Sequence, residues 1–580
     1  MKKLFAYVQP YLKSMALVVC LVFAQVMAEL QMPNLMSNIV NNGVSTGDTS
    51  YIIQVGMQML VVALIATACS ISASFFSGRN ALGVARDLRI GIFRKVESFS
   101  QMEFDKISTS SLITRTTNDV QQMQMIILSS QRMFVSSPLN FVGALINAMN
   151  KDAQLVRILF IAIPCVVAVV ISVQRRAVPL FSLGQRKIDR LNQVLREGLS
   201  GVRVIRAFHR EDYQSQRFNE ANFDLTANSI RVQRIMATNW PMMMLVINSA
   251  TIAVVWFGAR NINAGFIRIG DLMAFTQYLS TILFSLMNLS MMFVSIPRAQ
   301  VSANRIAEIL NTEPLIQDPE APTSLPTLLN PKQGLQVVFN DVTFRYPGGE
   351  NPALRNISFT ANSGETVAII GSTGSGKTTI ANLIMRFYDV EEGTVTVDGI
   401  DVRHLTLSDL RHQIGFIPQK AVLFSGAIAD NLLYGNETAT EAMRWEALRI
   451  AQAEDFVSAL PTGEEAFVSQ NGSNFSGGQK QRLSIARALV RKPRLYIFDD
   501  SFSALDYRTD VSLRQALYDE TNEATKLIIA QRVSTIMQAD QIIVLDEGRV
   551  VGIGTHRELL ETCQVYQEIV RSQLSEAEIA

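Results

Sequence analysis

Cysteine is scarce in this chain: four in 580 residues, with Cys20, Cys69 and Cys165 inside apolar runs and Cys563 far downstream. No CxxC pair occurs, which argues against a disulfide framework and a cysteine-built zinc site. A surplus of charge is missing too. Lys and Arg number 52 against 51 Asp and Glu, a net charge of +1, so the balance offers no footprint for nucleic acid. Internal repeats and low-complexity tracts are absent from the sequence. Apolar residues, by contrast, make up 48% of the chain, and the mean hydropathy of +0.19 is high for a wholly soluble protein. At about 150 residues per domain, the length implies several folding units.

The composition changes near residue 320. Before it, long apolar stretches alternate with arginine-rich amphipathic ones. After it, short β-type runs such as Thr366–Ile370 alternate with helical patterns, the mark of an α/β domain. Asn311–Pro322, with Pro326 and Pro331, is too rich in proline for helix or strand and reads as a linker. The expected fold is a membrane α-helical domain over 1–315, a linker over 316–334 and an α/β P-loop nucleotide-binding domain over 335–580.

A span needs roughly 20 mostly apolar residues. Six candidates centre on Met15–Val40, Ile52–Ser77, Ile127–Met149, Leu155–Val173, Ala237–Ala259 and Leu272–Ile296. The third is the weakest, because Ser129, Ser130, Gln131, Arg132, Ser136 and Ser137 dilute its start and Pro138 offers a kink. Arg79, Arg86, Arg89, Arg94, Lys95, Lys106 and Arg115 crowd one connection; Arg186, Lys187, Arg190, Arg203 and Arg206 are among those in another; Asn41–Tyr51 has no basic residue. Basic residues favour the cytoplasmic side, so the loops at about 79–126 and 175–236 and both ends of the domain are expected there. The apolar run after Lys2 and Lys3 continues to about Val40. That exceeds a signal core of about 7–15 residues and reads as a first span. Two features bear on cargo. Glu29 sits in the first span, where an ionisable group either faces a cavity or lies near the outer headgroups. Met242, Met243, Met244, Met287, Met291 and Met292 crowd the last two spans, where flexible thioethers serve varied ligands or ordinary packing.

In the second half, Gly371-Ser372-Thr373-Gly374-Ser375-Gly376-Lys377-Thr378, followed by Thr379, matches GxxxxGK[ST] between a strand and a helical pattern. That is the context of a phosphate loop. Its glycines let backbone N–H groups converge on phosphates at a helix N-terminus. Lys377 is placed to reach the β- and γ-phosphates of ATP, and the Thr378 hydroxyl to ligate Mg²⁺. Downstream, Arg494–Asp499 is a buried-strand pattern ending in a carboxylate, and Asp499 has the placement to hold Mg²⁺.

Between these motifs, Asn474-Phe475-Ser476-Gly477-Gly478-Gln479 resembles the LSGGQ signature of the ATP-binding cassette (ABC) transporters. The likeness extends along nearly the whole chain to the half-transporters of the multidrug-exporter type. It implies that Tyr346, in Phe344-Arg345-Tyr346-Pro347, stacks on adenine. It implies that Gln419 is the Q-loop glutamine, near Mg²⁺ and the attacking water, and that Ser503–Asp506 is the D-loop. Asp105 and Gly201–Phe208 fall where this family places its coupling helices. The family also implies a second ABC subunit, since each ATP is clamped between one chain's phosphate loop and the other's signature. The implied setting is a lipid bilayer, as a multi-pass protein of the cell membrane with its ATPase in the cytoplasm, and the implied cargo a small hydrophobic compound.

Three positions depart from the pattern. The family has Asp-Glu at the end of the Walker B strand, the Glu polarising water; here it is Asp499-Asp500. The H-loop histidine is replaced by Gln531, in Ile528-Ile529-Ala530-Gln531, and Val468–Gly472 lacks the acidic residue that usually precedes the signature. Two changes at one chemical step, beside an intact phosphate loop and signature, resemble the degenerate-site subunit of a heterodimeric exporter. Such a chain binds ATP at its own site, hydrolyses it slowly, and completes a competent site with the Glu and His of an unlike partner. The alternatives are a homodimer with two slow sites, lipid, peptide or haem-like cargo, and a non-transport ABC-type ATPase. The basic-loop asymmetry and the spans oppose the last.

Overall fold

Apolar runs of this length satisfy their backbone in lipid by staying helical throughout. The computed structural model, which describes residues 2–325 and 333–574, has six long helices in its first half. They are α1 (Leu12–Asn38), α2 (Thr49–Glu97), α3 (Val120–Lys151), α4 (Val156–Ser200), α5 (Glu211–Asn263) and α6 (Ile269–Asn311). Pro326 and Pro331 of the expected linker lie outside the described residues. Among the described residues, five helices are long and apolar enough to cross a membrane; α3 falls short of that apolarity. The cause is packing. Gln131 and Ser137 are buried, and Asn80 Nδ2 of α2 donates to Gln131 Oε1 at 2.9 Å, so polar groups that dilute α3 point between helices. Pro138 lies inside α3 without ending it.

The stretches expected as loops are mostly helix. α2 has 49 residues and α5 has 53. At about 1.5 Å per residue they are about 74 and 80 Å long, more than twice the ~30 Å of hydrocarbon. Arg79, Arg86, Arg89 and Arg94 therefore sit on the continuation of α2.

On α1, Val18, Val22, Val26 and Leu30, each four residues after the last, form a buried stripe in one cluster with Tyr278, Leu279 and Ile282 of α6. Tyr278 Oη donates to the Leu30 carbonyl at 2.8 Å. A Cβ on Gly143 of α3 would come within 2.3 Å of Leu30 Cδ1, so glycine sets that close approach. Outward positions stay apolar: Phe160 and Ile161 are 73% and 70% exposed, as a surface facing lipid requires.

The chain divides into one unit of Met1–Glu97 and Thr109–Thr312 and a second of Ser98–Ser108 and Glu313–Ala580. In the second, β1 (Val337–Phe344), β2 (Leu354–Ala361), β4 (Glu392–Val397) and β5 (Ile400–Asp401) form a sheet ordered β2-β1-β4-β5. The other strands of the core are β3 (Thr366–Gly371), β6 (Ile414–Ile417), β9 (Leu495–Asp499), β10 (Thr525–Ile529), β11 (Gln541–Asp546) and β12 (Arg549–Gly554). Their order is β12-β11-β3-β10-β9-β6, parallel except for β12, while β7 (Gly426–Ala427) and β8 (Phe467–Val468) make a small pair. β9 and β10 are buried at every residue and β3 at its four inner ones, as mainly apolar strands become inside a parallel sheet; the buried Lys526 of β10 donates to the Thr521 and Ala524 carbonyls.

Residues 98–108 leave the helical unit to join this one. The short helix Gln101–Lys106 presents Asp105, whose Oδ2 accepts from Tyr388 Oη at 2.5 Å. Burial, and then the Asp105 hydrogen bond, push the Tyr388 phenol well above its ordinary pKa. Residues 313–325 also dock here: Leu407 N donates to Asp318 Oδ1 at 2.7 Å and Thr323 N to the His404 carbonyl at 2.8 Å. Gly201–Phe208 contains the helix Val202–Ala207, which has no buried residue.

Candidate functional site

The carboxyl ends of parallel strands leave their loops at one edge, where α/β sheets place ligands. β3 runs into the glycine-rich loop, β6 leads to Gln419, β9 to Asp499 and Asp500, and β10 to Gln531. Across the middle of the sheet, Ile529 pairs with both Asp499 and Ile369, which levels the three exits.

In the loop, Gly374 and Gly376 have φ of 85° and 99°, in the left-handed region, and a Cβ on Gly376 would lie 2.5 Å from Leu354 Cδ2. Helix α7 (Lys377–Ile384) starts at once. Lys377 Nζ donates to the carbonyls of Gly371 and Ser372 at 2.9 and 2.7 Å. Burial lowers its pKa, against the pull of Asp500 and Asp499. Among the described residues Ser375 Oγ, buried in the loop, has no hydrogen-bond partner, an orphan that ATP-phosphate chemistry at this loop would explain.

Thr378 Oγ1 donates to Asp499 Oδ1 at 2.9 Å, bringing together the hydroxyl and carboxylate expected around Mg²⁺. Among the described residues no group of three or more His, Cys, Asp or Glu is placed to hold a metal by itself. A cation here would need phosphate oxygens and water, the usual manner of Mg²⁺. Asp500 follows at φ 48°, its N–H donating to the Ile529 carbonyl at 2.8 Å. Its Oδ2 accepts from Gln419 Nε2 at 3.0 Å and from Gln531 Nε2 at 2.9 Å. Burial raises the carboxyl pKa of both aspartates; the charge of Asp500 adds to the rise at Asp499, while the Gln419 hydrogen bond opposes it at Asp500.

Tyr346 stands half-buried, edge-on to Phe344 and Tyr388 at 4.9 and 5.2 Å, its hydroxyl 3.1 Å from Thr379 Oγ1. A cavity of about 330 Å³ joins Tyr346, Thr373, Gly374, Gly376, Lys377, Thr378, Thr379, Gln419, Asp499, Asp500 and Gln531. Gly371, Ser372 and Ser375 belong to the loop but do not line it. Sequence reasoning placed Asp105 near a coupling helix but missed its partner Tyr388, 283 positions away.

Ser476, Gly477, Gly478 and Gln479 do not line this cavity. Ser476 caps helix α8 (Gly477–Val490): Gln479 N donates to Ser476 Oγ at 3.2 Å and Ser476 N to Gln479 Oε1 at 2.9 Å. A Cβ on Gly477 would meet no atom within 4 Å, so packing inside this chain does not require glycine there.

In the helical unit, Glu29 lines a second cavity. The methionines in its wall are Met32, Met36, Met59 and Met273, none of them among the six that crowd the last two spans in sequence. Met243 is buried in the core, and Met244 and Met287 pack against it, which is the packing role. The side chain of Met291 lies outside the described residues.

The family described as ABC transporter transmembrane region matches residues 15–287, and that described as ABC transporter matches residues 354–503. The chain is 40% identical over 572 residues to an uncharacterized ABC transporter ATP-binding protein of Mycobacterium tuberculosis, covering 98% of this chain and 97% of the relative. It is 34% identical to a fatty acid ABC transporter ATP-binding/permease protein of Mycobacterium bovis, over 84% of this chain and 76% of the relative. A solved structure of a bacterial Atm1-family ABC exporter with ATP bound shares the fold, with a TM-score of 0.79 at 24% identity over 99% of each chain.

Proposed function

Because the chain belongs to the ABC transporters, we propose that it is the degenerate-site subunit of a heterodimeric exporter of hydrophobic or amphipathic compounds, drugs among them. As an exporter half-transporter it is a multi-pass membrane protein whose cytoplasmic ABC domain couples ATP to transport.

The observation that carries the reading is the state of Asp500. Its carboxylate is held between the amides of Gln419 and Gln531. Aspartate is one methylene shorter than the family's glutamate, setting the carboxylate back by about 1.5 Å. Gln531 donates a hydrogen bond but carries no positive charge toward a γ-phosphate. A reacting group misplaced by ~1 Å loses on the order of 10²-fold in rate.

Binding is a separate matter, and the binding parts are complete. Tyr346 would stack on adenine, the loop from Gly371 to Thr379 would cradle the phosphates, and Thr378, Asp499 and Gln419 would hold Mg²⁺. The bare Gly477 beside the Ser476 cap suits the close approach of a nucleotide held by a partner subunit, which supplies Glu and His. Fatty acid is the cargo that one relative's name carries, and it is amphipathic as well.

The test is ATPase of the purified chain by itself. Turnover in the ordinary enzyme range of roughly 1–10³ per second would sink the degenerate-site reading and favour a working homodimer. Tight ATP binding with far slower turnover is the expected result.

A further inference from the structure

Within the helical unit, α1, α2, α3 and α6 line an open-sided cavity of about 640 Å³, to which Glu29 is exposed. That is large enough for a drug-sized molecule, for which pockets of about 300–1,000 Å³ are usual. Its wall includes Glu29, Met36, Met59, Asn140, Met273 and Gln277. Among the described residues, Glu29 is the one charged residue of that wall, and no Lys, Arg or His lines it. Gln25 Nε2 donates to Glu29 Oε1 at 2.8 Å, which orients the carboxylate without neutralising it. Arg132 borders a neighbouring cavity with Gln25 and is in no ion pair with Glu29 among the described residues.

Glu29 lies nine residues before the end of α1, about 14 Å along the helix axis, so it stands inside the apolar span. An unpaired carboxylate at that depth favours a positive charge far more than it would in water. Thioethers around it fit apolar bodies of varied shape.

We propose that this cavity is a cargo site for monovalent amphipathic organic cations, with the Glu29 carboxylate meeting the positive centre and the methionines the apolar body. The assignment rests on the export reading above and narrows its cargo. It also separates this chain from a carrier of fatty-acid anions, which Glu29 would repel.

The test measures binding of tetraphenylphosphonium, neutral Nile red and the oleate anion to the full chain in nanodiscs, for wild type, Glu29→Gln and Glu29→Asp. Glu29→Gln keeps the shape and removes the charge. It should weaken tetraphenylphosphonium at least tenfold, about 1.4 kcal/mol, and change Nile red by less than about twofold on the same scale. Oleate should bind better to Glu29→Gln than to wild type, and Glu29→Asp should recover part of the cation affinity. Unchanged tetraphenylphosphonium affinity, or equal loss of both probes, would overturn the assignment while leaving export intact. Failure of the export reading looks different: vesicles carrying the chain with its partner would show no ATP-dependent uptake of any amphiphile.

Discussion

Restoring the two missing groups should restore hydrolysis at this chain's own phosphate loop. The perturbation is Asp500→Glu with Gln531→His. In the wild type, Asp500 Oδ2 lies 3.0 and 2.9 Å from two amide nitrogens, which take up the lone pairs of that oxygen and hold the carboxylate back against the sheet edge. The glutamate extends the carboxylate by about 1.5 Å, and the histidine removes one amide donor while adding a group able to carry charge. If misplacement is what slows the site, the gain is about 10²-fold, or about 2.7 kcal/mol of barrier. The backbone imposes a small counter-cost. Asp500 has φ 48°, a region that aspartate tolerates better than glutamate, so the double variant should melt slightly earlier. The assay is phosphate release by the full chain, with ATP affinity and dimer content measured on the same samples. A double variant that binds ATP and dimerises like wild type, yet turns over no faster, would refute the reasoning.

In the complex with its partner, Ser476→Arg should abolish most hydrolysis, since it breaks the α8 cap, worth ~1 kcal/mol, and fills the open face beside Gly477. Asp500→Asn should leave most of the activity, and steady-state ATPase showing the reverse order would exchange the roles of the two sites. Tyr388→Phe removes the 2.5 Å bond to Asp105; a bond to a charged group contributes about 1.5–3 kcal/mol. Stimulation of ATPase by cargo should fall about tenfold or more with ATP affinity within about twofold, read by titrating tetraphenylphosphonium. The raised carboxyl pKa of Asp499 and Asp500 fixes a pH trend. Folded protein holds those protons more tightly than unfolded, so their contribution to stability is full below about pH 3.9 and is lost as pH rises through their folded values. Asp500→Asn should flatten that part of a melting-temperature profile.

The parts of the candidate nucleotide site could be read from sequence because each is local. Gly371–Thr379 is one contiguous motif, and the strands before it, before Asp500 and before Gln531 announce themselves as short, mainly apolar runs. What joins them was not legible. The hydrogen bonds that close on Asp500 come from residues 81 and 31 positions away. Membership of residues 98–108 in the second unit depends on contacts such as Asp105–Tyr388, 283 positions apart. Hydropathy underrated α3 because Gln131 and Ser137 are hidden between helices, and a composition window cannot see which face a residue takes. Of the two roles open to the crowded methionines, Met243 takes packing, while the cavity wall draws Met36, Met59 and Met273 from separate helices.

The length of α5 has a mechanical consequence. Its 53 residues run about 80 Å as one helix, with Pro241 inside it. A rod of that length that pivots by only about 5° sweeps its far end through about 7 Å. Gearing of this kind turns a small rotation at one end into a displacement wider than a helix turn at the other. Stiffness then becomes as consequential as sequence: a glycine pair or a proline placed in the exposed stretch before Thr238 would let the rod flex and dissipate the stroke, with every ligand contact still in place.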